Sequence, residues 1–145
     1  MMISLEKSVA IKESFAKQGL MKTFNAQLDD VMQGKIVISM PYANKISQQH
    51  QFFHGGVIGA LGDSACGYAA LSIVPEGEAA LTAEYKINLL APADGERLIA
   101  VGEVLKAGRT LIVCQGNVFI EKNDVRKLCG TMLMTMCVVK NLGHL

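Results

Sequence analysis

The segment FFHGGVIGALGDSACGYAA occupies residues 52–70 and carries apolar or small side chains at nearly every position after its His-Gly-Gly start. Apolar residues recur at every fourth position from Val57 to Ala69, and the alternation of a half-buried strand is absent. The pattern predicts a buried helix that begins near Gly55 or Gly56.

Three glycines interrupt this predicted helix, namely Gly59, Gly62 and Gly67. Each glycine costs a helix about 1 kcal/mol relative to alanine. Glycine is usually kept in a helix where another backbone approaches closely. We therefore expect the helix to be tightly wrapped by a sheet.

Asp63 is the one charged residue of the segment. Burial of an unpaired carboxylate is costly, so this side chain needs hydrogen-bond donors or charges around it. It is either a structural carboxylate paired with a neighbouring polar group, or a nucleophile or general base that faces a cleft.

The start of the helix offers a second chemical group. Gly55 and Gly56 leave the first backbone N–H groups accessible, and these groups suit a developing negative oxygen. Asp63 lies eight residues after Gly55, which is roughly 12 Å along a helix axis. If both groups serve one reaction, the carboxylate must come from a second copy of the chain, so the spacing predicts a dimer.

Composition supports an assembled protein of one domain, residues 1–145. Hydrophobic residues make up 50% of the chain and charged residues only 19%, a surplus that usually means that another subunit covers apolar surface. The net charge of +1 comes without a basic stripe, so we expect no nucleic-acid partner.

Neither a long uncharged apolar run nor a signal-like start is present, and we expect a cytoplasmic protein without a membrane segment. The four cysteines have no C-x-x-C spacing and no histidine at ligand spacing. They read as reduced core residues, so neither a metal site nor a cofactor is expected: Cys66, Cys114, Cys129 and Cys137.

The rest of the chain predicts one helix and six strands. Residues 4–18 form an amphipathic helix that ends at Gly19, residues 20–32 and 35–42 form a hairpin, and a polar loop follows. Four further strands are predicted at 79–90, 96–106, 110–120 and 126–139. The last carries Met132, Met134 and Met136 on one face, a pattern more typical of packing than of a ligand pocket. The order indicates an α+β domain in which one sheet curls around one helix.

Three motifs together resemble one family. They are H-G-G-x-x-x-x-x-x-D at 54–63, Y-K-I-N-L-L-A-P-A at 85–93 and K-A-G-R-T at 106–110. Nearly the whole chain is similar to hotdog-fold thioesterases of the phenylacetyl-CoA thioesterase (PaaI-like) group. The resemblance implies an antiparallel sheet around one long central helix, and hydrolysis of acyl-CoA thioesters to free acid and CoA. It also implies sites between subunits of a homodimer or of a homotetramer built as a dimer of dimers.

The resemblance implies a role for each matching residue. Asp63 matches the catalytic carboxylate, Gly55 the backbone donor that polarises the thioester carbonyl, and His54 the motif histidine. Gly56 is expected to contact substrate, and Gln48 falls where the family often has an amide near the thioester.

Three further positions follow from the same resemblance. Thr82 stands where relatives have a hydroxyl that positions water, whereas Lys106 and Arg109 lie in the turn that tends to contact the nucleotide end of CoA. Each has a structural alternative, because Thr82 could be an ordinary strand residue and the two cations an ordinary solvated turn. For His54 the alternative to catalysis is a capping role.

Two other functions compete with hydrolysis. A hotdog protein could bind an acyl-CoA or another acyl ligand without cleaving it, although such a protein has no need of a costly buried Asp63. A hotdog dehydratase or hydratase would need a histidine and a carboxylate acting together on the acyl carbons. Here the motif histidine, His54, precedes a Gly-Gly cap instead.

Overall fold

The computed structural model describes residues 2–140, which contain six antiparallel strands and three α-helices. The strands form one sheet in the order β1-β2-β4-β5-β6-β3. In chain order the elements are α1 (Leu5–Lys17), α2 (Gly19–Thr23), β1 (Gln27–Met32), β2 (Lys35–Pro41), α3 (Gly55–Leu71), β3 (Glu78–Leu89), β4 (Arg97–Ala107), β5 (Leu111–Lys122) and β6 (Val125–Lys140).

The predicted architecture is confirmed: α3 packs against one face of a single antiparallel sheet and contacts β2, β3, β4, β5 and β6. Its N-terminus lies at the predicted Gly55. None of the helices in residues 2–140 is long and apolar enough to cross a membrane.

The segment before the first hairpin differs from the prediction. Residues 20–26 are not part of a strand, and Gly19 does not end a helix but begins α2. The side chains of Met21 and Phe24 are 1% and 6% exposed. Because these two residues are three apart, a helical turn buries both on one face. Asn25, with φ of 52°, then turns the chain into β1.

The closest contact between helix and sheet depends on glycines of the strands. A Cβ on Gly102 of β4 would lie 2.4 Å from the backbone of Ala65 in α3, and one on Gly116 of β5 would lie 3.0 Å from Cys66 Sγ. These glycines are paired across the two strands. The predicted tight wrapping is therefore present, but the helix glycines make room for side chains: a Cβ on Gly62 would lie 3.2 Å from Met132 Cε.

The methionine stripe of β6 belongs to the core, as predicted. Met132, Met134 and Met136 are at most 2% exposed and pack in one cluster with the second half of α3, whereas Leu133 on the opposite face is 53% exposed.

The cysteines are free thiols, and three of the four are fully buried. Burial raises the pKa of Cys114 and of Cys129 to about 11 and raises the pKa of Cys66 further still. Thiols that stay protonated are poor nucleophiles. Within residues 2–140 no group of three or more His, Cys, Asp or Glu side chains is placed to hold a metal ion.

The contact at Gly102 generates a prediction about stability. Gly102→Ala places a methyl group against the backbone of Ala65, so we expect unfolding free energy to fall by about 3 kcal/mol or more. Gly19→Ala is the control, because nothing lies within 4 Å of its added Cβ, and its effect should stay within about 1 kcal/mol. Chemical denaturation of both variants measures the difference. Equal stability would contradict the assigned contact.

Candidate active site

His54 caps the N-terminus of α3. Its backbone is extended, with φ −62° and ψ 139°, and its Nδ1 accepts a hydrogen bond of 2.8 Å from the N–H of Gly56. Its carbonyl accepts from the N–H of Val57 at 2.9 Å. The capping interpretation of His54 therefore fits the geometry, and the N–H of Gly56 is already engaged within the chain.

The N–H of Gly55 is different. Within residues 2–140 it has no hydrogen-bond acceptor. It lies at the first position of a helix of 17 residues, where the backbone N–H groups and the helix dipole favour negative charge. Gly55 thus presents one unpaired donor at the positive end of α3.

The loop before α3 places Gln48 beside this donor. The loop is closed by a bridge between Ser47 and Phe53 and by a hydrogen bond of 2.9 Å from the N–H of Gln48 to the carbonyl of Phe52. Gln48 Oε1 accepts from the N–H of His50, and the side-chain NH2 group of Gln48 has no acceptor among residues 2–140. Gln48 and Gly55 line one open cavity of about 500 Å³, whose other lining residues are mostly apolar.

The Asp63 carboxylate accepts a hydrogen bond from a hydroxyl group, not from a charged group. Thr82 of β3 donates a hydrogen bond of 2.7 Å from Oγ1 to Asp63 Oδ1. The pairing of β3 with β6 shifts by one residue between Thr82 and Glu84. Asp63 is half-buried in the single chain, not buried as predicted, because its face of α3 looks towards β3, which is an edge strand.

Asp63 and Thr82 line a second cavity of about 400 Å³, and neither Gly55 nor Gln48 reaches it. One chain therefore carries two half-sites. One holds the Gly55 donor with Gln48 and His54, and the other holds the Asp63 carboxylate with Thr82. The structure brings together the members of each half-site but not the two halves, in keeping with the separation of roughly 12 Å expected along α3.

Both half-sites lie against the edge strand β3, and α3 runs antiparallel to this strand. Starting at its N-terminus, α3 meets residues of β3 that come progressively earlier in the chain, so helix and strand run antiparallel. The neighbours are Gly55 with Leu89, Gly59 with Tyr85, and Asp63 with Thr82.

Lys106 and Arg109 lie apart from both half-sites. Lys106 stands near the end of β4 and Arg109 in the turn that follows, and both are exposed. Neither lines the two cavities, and among the described residues neither forms an ion pair.

Sequence reasoning missed four polar residues that line the cavity of Asp63: Ser14, Gln18, Ser64 and Tyr68. Spacing was a usable signal for two of them, because Ser64 and Tyr68 are four residues apart on α3 and such residues share one helix face. What the sequence could not supply was the docking position of α1 against α3.

Comparison with known proteins identifies the class. A family model described as the thioesterase superfamily matches residues 50–127. That span covers both half-sites except Gln48, and it is more than half of the chain. The chain belongs to the thioesterase superfamily, and the resemblance to hotdog-fold thioesterases is confirmed.

Two relatives show high similarity. A thioesterase family protein from Silicibacter pomeroyi superposes with a TM-score of 0.91 and 38% identity, covering 92% of this chain and 98% of that one. A Saccharolobus solfataricus protein, named provisionally as an esterase, is 32% identical over 107 residues, which are 73% of this chain and 76% of that protein.

Two more distant structures share the fold. The PaaI protein of E. coli, from the phenylacetic acid degradation operon, has a TM-score of 0.80 at 21% identity and covers 92% of this chain and 94% of that one. A Bacillus halodurans protein solved with CoA has a TM-score of 0.76 at 22% identity, with coverage of 93% and 85%.

Proposed function

We propose that this protein hydrolyses acyl-CoA thioesters to free acid and CoA, at sites formed between two copies of the chain. The observation that carries the proposal is the unpaired N–H of Gly55 at the start of α3, with a carboxylate on the same helix too distant to serve it. Membership of the thioesterase superfamily supports the reaction class. The CoA in the Bacillus halodurans relative and the fold shared with PaaI support the substrate class.

In this mechanism Gly55 polarises the thioester carbonyl. Attack on the carbonyl carbon moves negative charge onto its oxygen, and a preorganised backbone donor at that point is worth about 3 kcal/mol. The free amide hydrogens of Gln48 line the same cavity and can hold the thioester beside it. His54 fixes the helix start by its cap, and Gly56 shapes the approach without donating its engaged N–H.

Asp63 acts on the attacking species. As a general base it takes a proton from water while the water oxygen bonds to the acyl carbon, after which the C–S bond breaks and CoA leaves as the thiolate. As a nucleophile it would form an anhydride that water then opens. In either route the hydrogen bond from Thr82 holds one carboxylate oxygen and leaves the other for chemistry.

The edge strand β3 supplies the surface for the second copy. Leu81, Tyr85 and Leu89 on β3 are 46%, 42% and 53% exposed. An exposed edge strand of twelve residues can pair with another strand through its free backbone groups. The opposite edge, β1, is only six residues long and offers a shorter surface for such pairing.

Two-fold symmetry then completes the site. If β3 pairs antiparallel with β3 of a second copy about an axis between Tyr85 and Lys86, Leu89 lies beside the partner's Thr82. Because α3 follows β3 in reverse order, Gly55 of one copy approaches Asp63 of the other. Each dimer would hold two such sites.

Two further assignments belong to the proposal. A dimer of dimers would use the outer face of the sheet, where Leu105, Leu111 and Leu133 are each about half exposed. A cytoplasmic location suits the free cysteines, which persist as thiols in a reducing compartment.

The donor role of Gly55 can be tested with a matched pair of variants. Gly55→Pro removes the N–H, and proline is favoured at the first helical position and after an extended residue such as His54. Gly55→Ala adds the same Cβ beside Leu89 but keeps the N–H. We expect kcat to fall by about 100-fold or more in the proline variant only. A similar loss in both variants would assign the effect to crowding and remove the donor from the mechanism.

The shared site predicts complementation between two inactive variants. Asp63→Asn should fold normally and lose roughly 100-fold or more in kcat. When it is refolded with Gly55→Pro, about half of the dimers are mixed, and one site in each mixed dimer has both groups intact. We therefore expect about a quarter of the activity of the unmodified protein. If verified mixed dimers recover no activity, the Gly55 N–H and the Asp63 carboxylate of one site belong to the same chain. If Asp63→Asn alone is fully active, the proposed hydrolytic mechanism is wrong.

Lys106 and Arg109 are proposed to bind the phosphates of CoA, since both are exposed and neither forms an ion pair with any of residues 2–140. Replacing both with alanine should raise KM for acyl-CoA roughly tenfold and barely change KM for a truncated pantetheine thioester. As a control, alanine at Lys122 and Arg126, which flank the turn between β5 and β6, removes two positive charges as well. Equal effects on both substrates, or from both double variants, would exclude the assignment.

A further inference from the structure

The cavity beside Asp63 has one polar wall. Ser14 of α1, Gln18 directly after the last residue of α1, and Ser64 and Tyr68 of α3 form this wall. The remaining lining is mostly alanine, leucine, glycine and methionine. An acyl chain without polar groups would need none of these four side chains. We call them the polar wall.

The polar wall is held together by its own hydrogen bonds. Ser64 Oγ donates to Gln18 Oε1 at 3.3 Å, and Gln18 Nε2 donates to Tyr68 Oη at 3.0 Å. The hydroxyl oxygens of Tyr68 and Ser14 lie 3.2 Å apart, and either can donate to the other. The Tyr68 side chain is 5% exposed and its ring packs edge-on against Phe15, with centroids 5.8 Å apart. The wall is therefore preorganised.

This arrangement has a surplus of donors. Whichever of Ser14 and Tyr68 donates to the other, one of the two hydroxyl hydrogens is left without an acceptor among residues 2–140. The second hydrogen on Gln18 Nε2 has none there either. A ligand atom that accepts hydrogen bonds can satisfy these groups, whereas a methyl group in its place leaves them unpaired, which is costly in a desolvated cavity.

The electrostatics favour a neutral acceptor. Among residues 2–140 no lysine or arginine lines this cavity, and Asp63 lies on its wall. A second carboxylate would face repulsion without a compensating cation. A hydroxyl or keto oxygen meets neither problem.

The position of the wall indicates which part of a substrate it meets. Tyr68 follows Asp63 by five residues, which is about 7.5 Å along the helix axis. An acyl group whose carbonyl carbon lies at Asp63 would reach the wall with its distal end, not with the atoms next to the thioester.

We propose that Ser14, Gln18 and Tyr68 are specificity-determining residues that select acyl thioesters with a neutral oxygen, hydroxyl or keto, towards the far end of the acyl group. The inference rests on the proposed function, since it concerns the acyl side of the same site. It adds a substrate preference that neither Asp63 nor Gly55 can supply.

The test compares ω-hydroxyacyl-CoA esters with unsubstituted esters of the same chain length. For the unmodified protein we expect kcat/KM to favour the hydroxylated ester by about tenfold at the preferred length. Tyr68→Phe keeps the ring beside Phe15 and should reduce this preference severalfold, because kcat/KM falls more for the hydroxylated ester than for the unsubstituted one. Ser14→Ala, on the half-buried face of α1, should act in the same direction. Tyr42→Phe is the control, because its hydroxyl bonds Asn44 and it does not line this cavity.

Each outcome bears on the inference. If Tyr68→Phe lowers kcat/KM for both esters by one factor along with the melting temperature, the polar wall only ties α1 to α3 and the inference is wrong. Equal rates for the two esters in the unmodified protein would also overturn it and would leave acyl-CoA hydrolysis standing. Failure of the unmodified protein to release thiol from any ester would overturn the proposed function and the inference with it.

Discussion

The backbone of α3 lies directly on the backbone of β4, and the other contacts of the fold are arranged around that approach. A residue larger than glycine at position 102 would meet the main chain of Ala65, and main chain cannot move aside as a flexible side chain can. With the helix this close, the sheet contacts it from β2 across to β3. The strand glycines Gly102 and Gly116 therefore allow α3 to lie this close to the sheet.

The same approach determines where the functional groups lie. Gly55 at the N-terminus of α3 and the Asp63 carboxylate lie on one continuous helix. The helix rise therefore keeps them apart. The antiparallel course of α3 and β3 puts Gly55 near one end of the edge strand and Asp63 near Thr82. In the proposed dimer, two-fold symmetry brings Gly55 of one copy close to Asp63 of the other, which the geometry of a single helix does not allow.

Sequence reasoning located what depends on one segment alone. The helix start at Gly55 and the distance to Asp63 follow from residues close in the chain, so both could be predicted. The helix α2 was not predicted, because apolar residues such as Met21 and Phe24 are equally compatible with a strand. Only their burial on one face indicates a helical turn. Thr82 was named from family resemblance as a hydroxyl that positions water, and its hydrogen bond to Asp63 was not predicted, because the position of β3 against α3 cannot be derived from spacing. The polar wall depends on how α1 docks, which no local pattern encodes.

The half-exposure of Asp63 and the apolar edge of β3 have one cause, since both face the side of the chain where the second copy is proposed to bind. Covering the edge would remove Leu81 and Tyr85 from water, a favourable change of about 25 cal/mol per Å² of apolar surface. The same step would desolvate the Asp63 carboxylate, which is unfavourable unless Thr82 and bound water compensate it. Apolar burial along the strand then offsets the cost of placing a carboxylate in a drier site, where its interaction with an attacking water is stronger. Assembly and catalytic competence would therefore depend on the same contact.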